Sequence, residues 1–165
     1  MERILIIGCP GSGKSTFAKK LSKKLNYPIL HLDRIFHIDN YNQISREELK
    51  NKIKSFIKNN KHFIIDGNYH GTLEFRLKYS DTVFYFNIDT KTCLDNVINR
   101  CKSGSIRDDI AEGFDNSIID PEFIEYVKSF NLEKKPIIED ILDDFDGKII
   151  KFYNYKDVEN YLEEI

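Results

Sequence analysis

The chain has 165 residues, 41% of them apolar and 32% charged, with a formal net charge of -2 at pH 7. That length suits one domain with a real core, and that balance excludes a disordered polyelectrolyte. A nearly neutral chain exerts no global pull on nucleic acid or an anionic membrane, so a bound anion must be held by a local arrangement.

The three cysteines, Cys9, Cys93 and Cys101, are widely spaced and form neither a metal-site pattern nor a disulfide framework. They read as buried or half-buried thiols of a reducing cytosol. The apolar run Ile4–Ile7 is too short for a signal-peptide core, and no stretch approaches the about 20 apolar residues of a membrane span. The expectation is a soluble, cytoplasmic protein with no membrane partner. No repeat, low-complexity tract or linker divides the sequence, which predicts one domain over 1–165.

In chain order, the run Ile4-Leu5-Ile6-Ile7 predicts a buried strand. It leads into Gly8-Cys9-Pro10-Gly11-Ser12-Gly13-Lys14-Ser15, a full match to G-x-x-x-x-G-K-S/T. In such a loop the glycines, Gly8, Gly11 and Gly13 here, let the backbone curl around Pro10 and Ser12 so that amides point at phosphate oxygens. The following helix adds its N-terminal amides and dipole. Lys14 would reach the β- and γ-phosphates, Ser15 would ligate Mg²⁺, and Thr16 would serve the helix or the α-phosphate. This is the strongest signal in the chain, and by itself it indicates nucleotide binding without saying which reaction follows. Phe17, Leu21 and Leu25 then mark one face of the helix.

Ile29-Leu30-His31-Leu32 predicts a second strand ending at Asp33-Arg34. Asp33 could be a base or orienter for an acceptor hydroxyl, a water-bridged Mg²⁺ contact, or a cap on the next helix. Arg34 could neutralise an acceptor phosphate, and His31 reads as a structural histidine. Ser45 and Glu48 form a capping box ahead of Leu49, Ile53, Phe56 and Ile57. Phe63-Ile64-Ile65 is a third strand, and Asp66 directly after it could hold Mg²⁺ or belong to an ordinary Asp-Gly turn. Gly67 would let a substrate approach the backbone, and Arg76 sits in a short helical stretch beyond it.

Val83–Phe86 is a fourth strand, followed by a helix with Asp89 and Thr90 as caps and Leu94, Val97, Ile98 and Cys101 on one face. Arg100 and Arg107 flank a polar, glycine-containing segment. They read either as cations on a mobile flap, meeting charge on a transferring phosphoryl, or as solvated surface arginines. Asp120-Pro121 starts a further helix, Asp146-Gly147 turns into the strand Ile149–Phe152, and Val158, Tyr161, Leu162 and Ile165 mark a closing helix. Asn154-Tyr155-Lys156, after the last strand, could border the adenine. This alternation predicts an α/β fold with a doubly wound parallel sheet and a site beyond the carboxyl ends of its strands.

With those residues placed, the chain resembles the adenylate-kinase-related DNA topology modulation proteins of the FlaR type, within the P-loop nucleoside and nucleotide kinases. The resemblance rests on Gly8–Thr16 (GCPGSGKST), His31–Phe36 (HLDRIF), Ile64–Tyr69 (IIDGNY) and Arg107–Gly113 (RDDIAEG). It implies a three-layer P-loop NTPase fold with a five-stranded parallel sheet, a short acceptor-binding helical region near 34–60 and a short lid near 101–115. It also implies ATP and Mg²⁺ as cofactors, and Asn68 and Tyr69 as acceptor-site residues. Gly67-Asn68-Tyr69-His70 stands where adenylate kinase proper has Gly-Phe-Pro-Arg, which separates the chain from that enzyme's AMP specificity.

The expected function is phosphoryl transfer from ATP to a small acceptor. Lys14, Arg100, Arg107 and Asp33 would carry the chemistry, Ser15 and Asp66 the metal, and Asp33, Arg34, Gly67, Asn68, Tyr69 and Arg76 the acceptor. A phosphate acceptor wants arginines and a hydroxyl acceptor wants a carboxylate base; the sequence supplies both, and the reading leans to a nucleotide. The rivals are an ATP-binding regulator of DNA topology without kinase turnover, and a simple ATPase. No reading element for DNA is evident, so direct nucleic-acid binding is not expected. A monomer and a homodimer are both compatible with the sequence.

Overall fold

In the computed structural model, which describes residues 1–104 and 107–165, five strands form one all-parallel sheet. The lid expected near 101–115 falls partly outside these residues, at Ser105 and Ile106. The strands are β1 (Arg3–Gly8), β2 (Ile29–His31), β3 (Phe63–Asp66), β4 (Thr82–Phe86) and β5 (Lys148–Phe152), in the order β2-β3-β1-β4-β5. Each coincides with one of the solid apolar runs, except that β2 stops at His31 and leaves Leu32 to the next helix. The three central strands are buried nearly end to end, whereas β2 and β5 are only half-buried because each pairs on one side.

Helices α1 (Lys14–Leu25), α2 (Leu32–Phe36), α3 (Arg46–Asn59), α4 (Leu73–Leu77), α5 (Thr90–Ser103), α6 (Pro121–Glu133), α7 (Lys135–Asp143) and α8 (Tyr155–Glu164) make the crossovers and close the chain. Their boundaries follow local chemistry. Ser45 and Glu48 exchange both capping-box bonds at the start of α3, and the Asp89 carboxylate accepts the Thr92 amide at 2.8 Å to start α5. Asp120 caps α6 directly before Pro121.

Phe17 of α1 packs edge-on against Phe84, Phe86 and Phe152, with ring centroids 4.9–5.4 Å apart. This aromatic joint seats α1 on the sheet and fixes the direction in which its N-terminus points. Gly8 closes β1 with φ +140°, and a Cβ added there would lie 2.4 Å from the Phe86 carbonyl oxygen. Gly8→Ala is therefore expected to destabilise the fold by about 1–3 kcal/mol through backbone strain alone. Chemical denaturation checks this; an unchanged midpoint would contradict the tight β1–β4 junction.

Candidate functional site

The loop from Gly8 to Gly13 joins β1 to α1 at the carboxyl edge of the sheet. Helix α1 begins with Gly13 as its N-cap and receives no side-chain capping bond, so its first amides face the loop without an internal partner. The Ser12 hydroxyl is fully buried and has no hydrogen-bond partner among the described residues. Uncapped amides around an orphaned hydroxyl form a cradle that a phosphate chain fits.

Lys14 is half-buried and its ammonium donates to the Cys9 carbonyl at 2.8 Å, across the loop's own mouth. Burial lowers its pKa, while Asp66, Cys9 and Asp33 oppose that shift. The ammonium thus lies within the field of both strand-end carboxylates.

Asp66 ends β3 in register with Ile6 of β1 and His31 of β2. It is 4% exposed; one carboxylate oxygen lies 2.8 Å from His31 Nδ1, and the other is buried with no partner among the described residues. That orphaned oxygen, close to the phosphate loop, fits a role in holding Mg²⁺ together with the Ser15 hydroxyl. His31 therefore fixes the orientation of Asp66, a specific structural role that an apolar-run histidine did not disclose.

Asp33 lies inside the first turn of α2. His31, not Asp33, occupies the N-cap position, so the cap reading does not hold. Its carboxylate accepts the Tyr69 hydroxyl at 2.8 Å, and Tyr69 packs edge-on against Phe36 with centroids 4.8 Å apart. Burial and the Asp33 charge raise the Tyr69 phenol pKa, which keeps it a donor.

Asn68 is 8% exposed, and neither end of its amide has a partner among the described residues. Arg34 is exposed and donates to the Asp108 carbonyl at 3.3 Å. Arg76 departs from expectation: its guanidinium is fully buried and bonds to backbone oxygens, so it does not face an acceptor directly.

Arg100 and Arg107 lie close enough to influence each other's charge, and both sense Asp109 and Asp33. For Arg107, burial lowers the pKa but its bond to Asp109, helped by Asp33 and Asp66, more than offsets this. Asp109, 4% exposed, bridges Arg107 to Lys19 of α1, whose ammonium is 3.0 Å away. Beyond it, the Asn40 side chain pairs with both backbone groups of Asp115, and His37 packs on Phe114. The segment that carries Arg107 is thus laced to α1 on one side and to the stretch between α2 and α3 on the other.

Residues 4–120 match the family model described as AAA domain. The chain belongs to that family. No curated protein matches it. Among solved structures, it is similar to shikimate kinase from Bacteroides thetaiotaomicron, at 15% identity and TM-score 0.60, covering 99% of this chain and 95% of that one. Shikimate kinase from Acinetobacter baumannii in complex with shikimate aligns at 13% identity and TM-score 0.62, covering 99% and 90%. Deoxyadenosine kinase from M. mycoides with bound dATP aligns at 16% identity and TM-score 0.52, covering 98% and 97%. At these identities the likeness establishes the fold: a parallel α/β P-loop kinase architecture.

Within this AAA-domain chain the fold gathers Lys14, Ser15, Asp33, Asp66, Asn68, Tyr69, Arg100 and Arg107 toward the carboxyl edge of the sheet, leaves Arg34 at its margin and withdraws Arg76 into the interior. Several contributors lay outside the sequence reading. Asn96 donates to the Gly11 carbonyl at 2.9 Å and to the Tyr155 hydroxyl at 2.8 Å, which seats α5 and α8 beside the phosphate loop. Lys19 pairs with Asp108 and Asp109, which lie 89 and 90 residues away in sequence. Among the described residues, no helix is long and apolar enough to cross a membrane.

Proposed function

We propose that this chain transfers the terminal phosphoryl group of ATP to a hydroxyl group of a small acceptor. The observation that carries this reading is Asp33, a carboxylate anchored on one oxygen by Tyr69 within the field of Lys14 and both candidate lid arginines. The lean toward a nucleotide acceptor, drawn from sequence, loses support: Arg76 is buried on carbonyls and Arg34 lies on the Asp108 carbonyl. An acceptor phosphate would need such cations, whereas an alcohol needs a proton acceptor. The structural neighbours are named for shikimate and deoxyadenosine, both of which carry hydroxyl groups.

In this reading the α1 amides and Lys14 hold the phosphate chain, and Ser15 and the unpartnered oxygen of Asp66 hold Mg²⁺, which when bound screens charge between phosphate oxygens. The acceptor oxygen bonds to the terminal phosphorus as the bond to the departing ADP breaks, and Asp33 takes the hydroxyl proton. Arg100 and Arg107 meet the charge on the transferring group.

A turnover panel of neutral alcohols, nucleosides and phosphate monoesters with Mg-ATP tests the proposal. Neutral hydroxyl acceptors should stimulate turnover, and Asp33→Asn should lower that turnover about 10²-fold with Mg-ATP affinity held within about twofold. Stimulation by phosphate monoesters alone, steady hydrolysis indifferent to acceptors, or an unaffected Asp33→Asn variant would each count against it.

A further inference from the structure

Among the described residues Arg76 is the largest fully buried side chain, and no carboxylate lies within ion-pair distance of it. Burying a guanidinium without a counter-charge is costly unless its donors are satisfied. Here they are. Nη1 donates to the Gly67 carbonyl at 2.9 Å, Nη2 to the Asn68 and Tyr69 carbonyls, the latter at 3.2 Å, and Nε to the Thr72 hydroxyl at 3.2 Å. The Thr72 hydroxyl in turn donates to the Tyr69 carbonyl at 3.1 Å.

The three carbonyls belong to one strained turn. Gly67 has φ +140°, where a Cβ would lie 2.8 Å from Leu32 Cβ, and Tyr69 has φ +32°, which a tyrosine rarely adopts. Three successive carbonyls aimed at one point repel one another, and a planar fork of donors is the group suited to hold them there. At the far end of the turn, the Tyr69 hydroxyl reaches Asp33.

We infer that Arg76 is a positioning residue for Asp33, acting through the Gly67-Asn68-Tyr69 turn and the Tyr69 hydroxyl. The inference rests on the hydroxyl-acceptor reading for its catalytic consequence, but its structural content stands apart from it. With one Asp33 oxygen held by Tyr69, the other keeps a fixed direction toward an incoming hydroxyl. Lysine keeps the charge but presents its donors from one nitrogen, so it cannot reproduce the spread of the planar fork over three carbonyls and the Thr72 hydroxyl.

The test compares Arg76→Lys, Thr72→Val, Tyr69→Phe and the Arg76→Lys/Tyr69→Phe double variant, by crystal structure and by kinetics with whichever hydroxyl compound the wild type phosphorylates. Arg76→Lys should release the Tyr69–Asp33 hydrogen bond while leaving Mg-ATP affinity within about twofold. Its kcat should fall about tenfold, as should that of Tyr69→Phe, with the double variant no worse than either single one. Thr72→Val, which preserves shape, should move in the same direction and serves if Arg76→Lys does not fold. A Tyr69–Asp33 bond that survives Arg76→Lys or Thr72→Val, or losses that multiply in the double variant, would overturn the inference. If no acceptor is phosphorylated by the wild type, the functional reading fails, and the crystal structures still decide whether Arg76 holds Asp33 in place.

Discussion

Lys14→Ala is expected to abolish the thermal stabilisation that Mg-ATP confers and to lower acceptor-dependent turnover by about 10³-fold, with the protein remaining folded. The side chain is half-buried at the first position of α1, and its ammonium bonds to the Cys9 carbonyl rather than to a core partner. Alanine is a strong helix former, so removal leaves the helix intact. What disappears is the cation that would leave the Cys9 carbonyl to meet the β- and γ-phosphates. Wild-type protein with ligand at 100 times its Kd should gain about 2.7 kcal/mol, which for a domain of this size is a readily measured rise in Tm. A Lys14→Ala variant that keeps the whole rise would show that the loop grips nucleotide without its lysine. A wild type that shows no rise would remove the nucleotide site itself.

The contrast between Lys14 and Arg76 shows which parts of such a site are legible in a sequence. Lys14 was readable because its partners are neighbours: glycines within six residues and a helix starting beside it set the chemistry by local backbone geometry. The five strands were readable for a similar reason, since a short solid apolar run marks each of them, although only the three central ones are buried nearly end to end. Arg76 was misplaced because its role depends on the turn from Gly67 to Tyr69 folding back over α4, and no periodicity encodes that return. His31 and Asp66 each end a strand pattern, but only the pairing of β2 beside β3 puts them 2.8 Å apart. The same holds for Asp33, whose place within α2 rather than before it follows from β2 ending at His31, and whose partner Tyr69 lies 36 residues on. Local signals thus marked the loop proposed to hold phosphate, and long-range pairing assembles the residues proposed to face the acceptor.

That long-range pairing has a measurable consequence at Asp109. Its carboxylate is 4% exposed and bridges Arg107, itself 15% exposed, to Lys19 on the helix that follows the phosphate loop. Burial alone would raise the Asp109 pKa, but the hydrogen bonds and charges of Arg107 and Lys19 more than offset this and hold it below its usual 3.8. A carboxylate whose pKa is lower in the folded than in the unfolded state adds stability above its unfolded value and loses it as pH falls through the folded one. Asp109→Asn removes that contribution at neutral pH and leaves the Arg107 guanidinium short of its counter-charge. Breaking a buried pair in this way costs about 3–5 kcal/mol, and the part-exposed Lys19 places the expected loss near the lower end. Urea denaturation at pH 7 should therefore show Asp109→Asn less stable than wild type by about 3 kcal/mol. The gap should begin to narrow below about pH 4, because the carboxylate of the unfolded wild-type chain then takes up a proton that folding must expel, while the folded one stays charged until lower pH. Turnover should fall as well, since Arg107 would no longer be held between α1 and the stretch that joins α2 to α3. A gap that stays constant from pH 7 to pH 3, or its absence at pH 7, would show that Arg107 is held by other means.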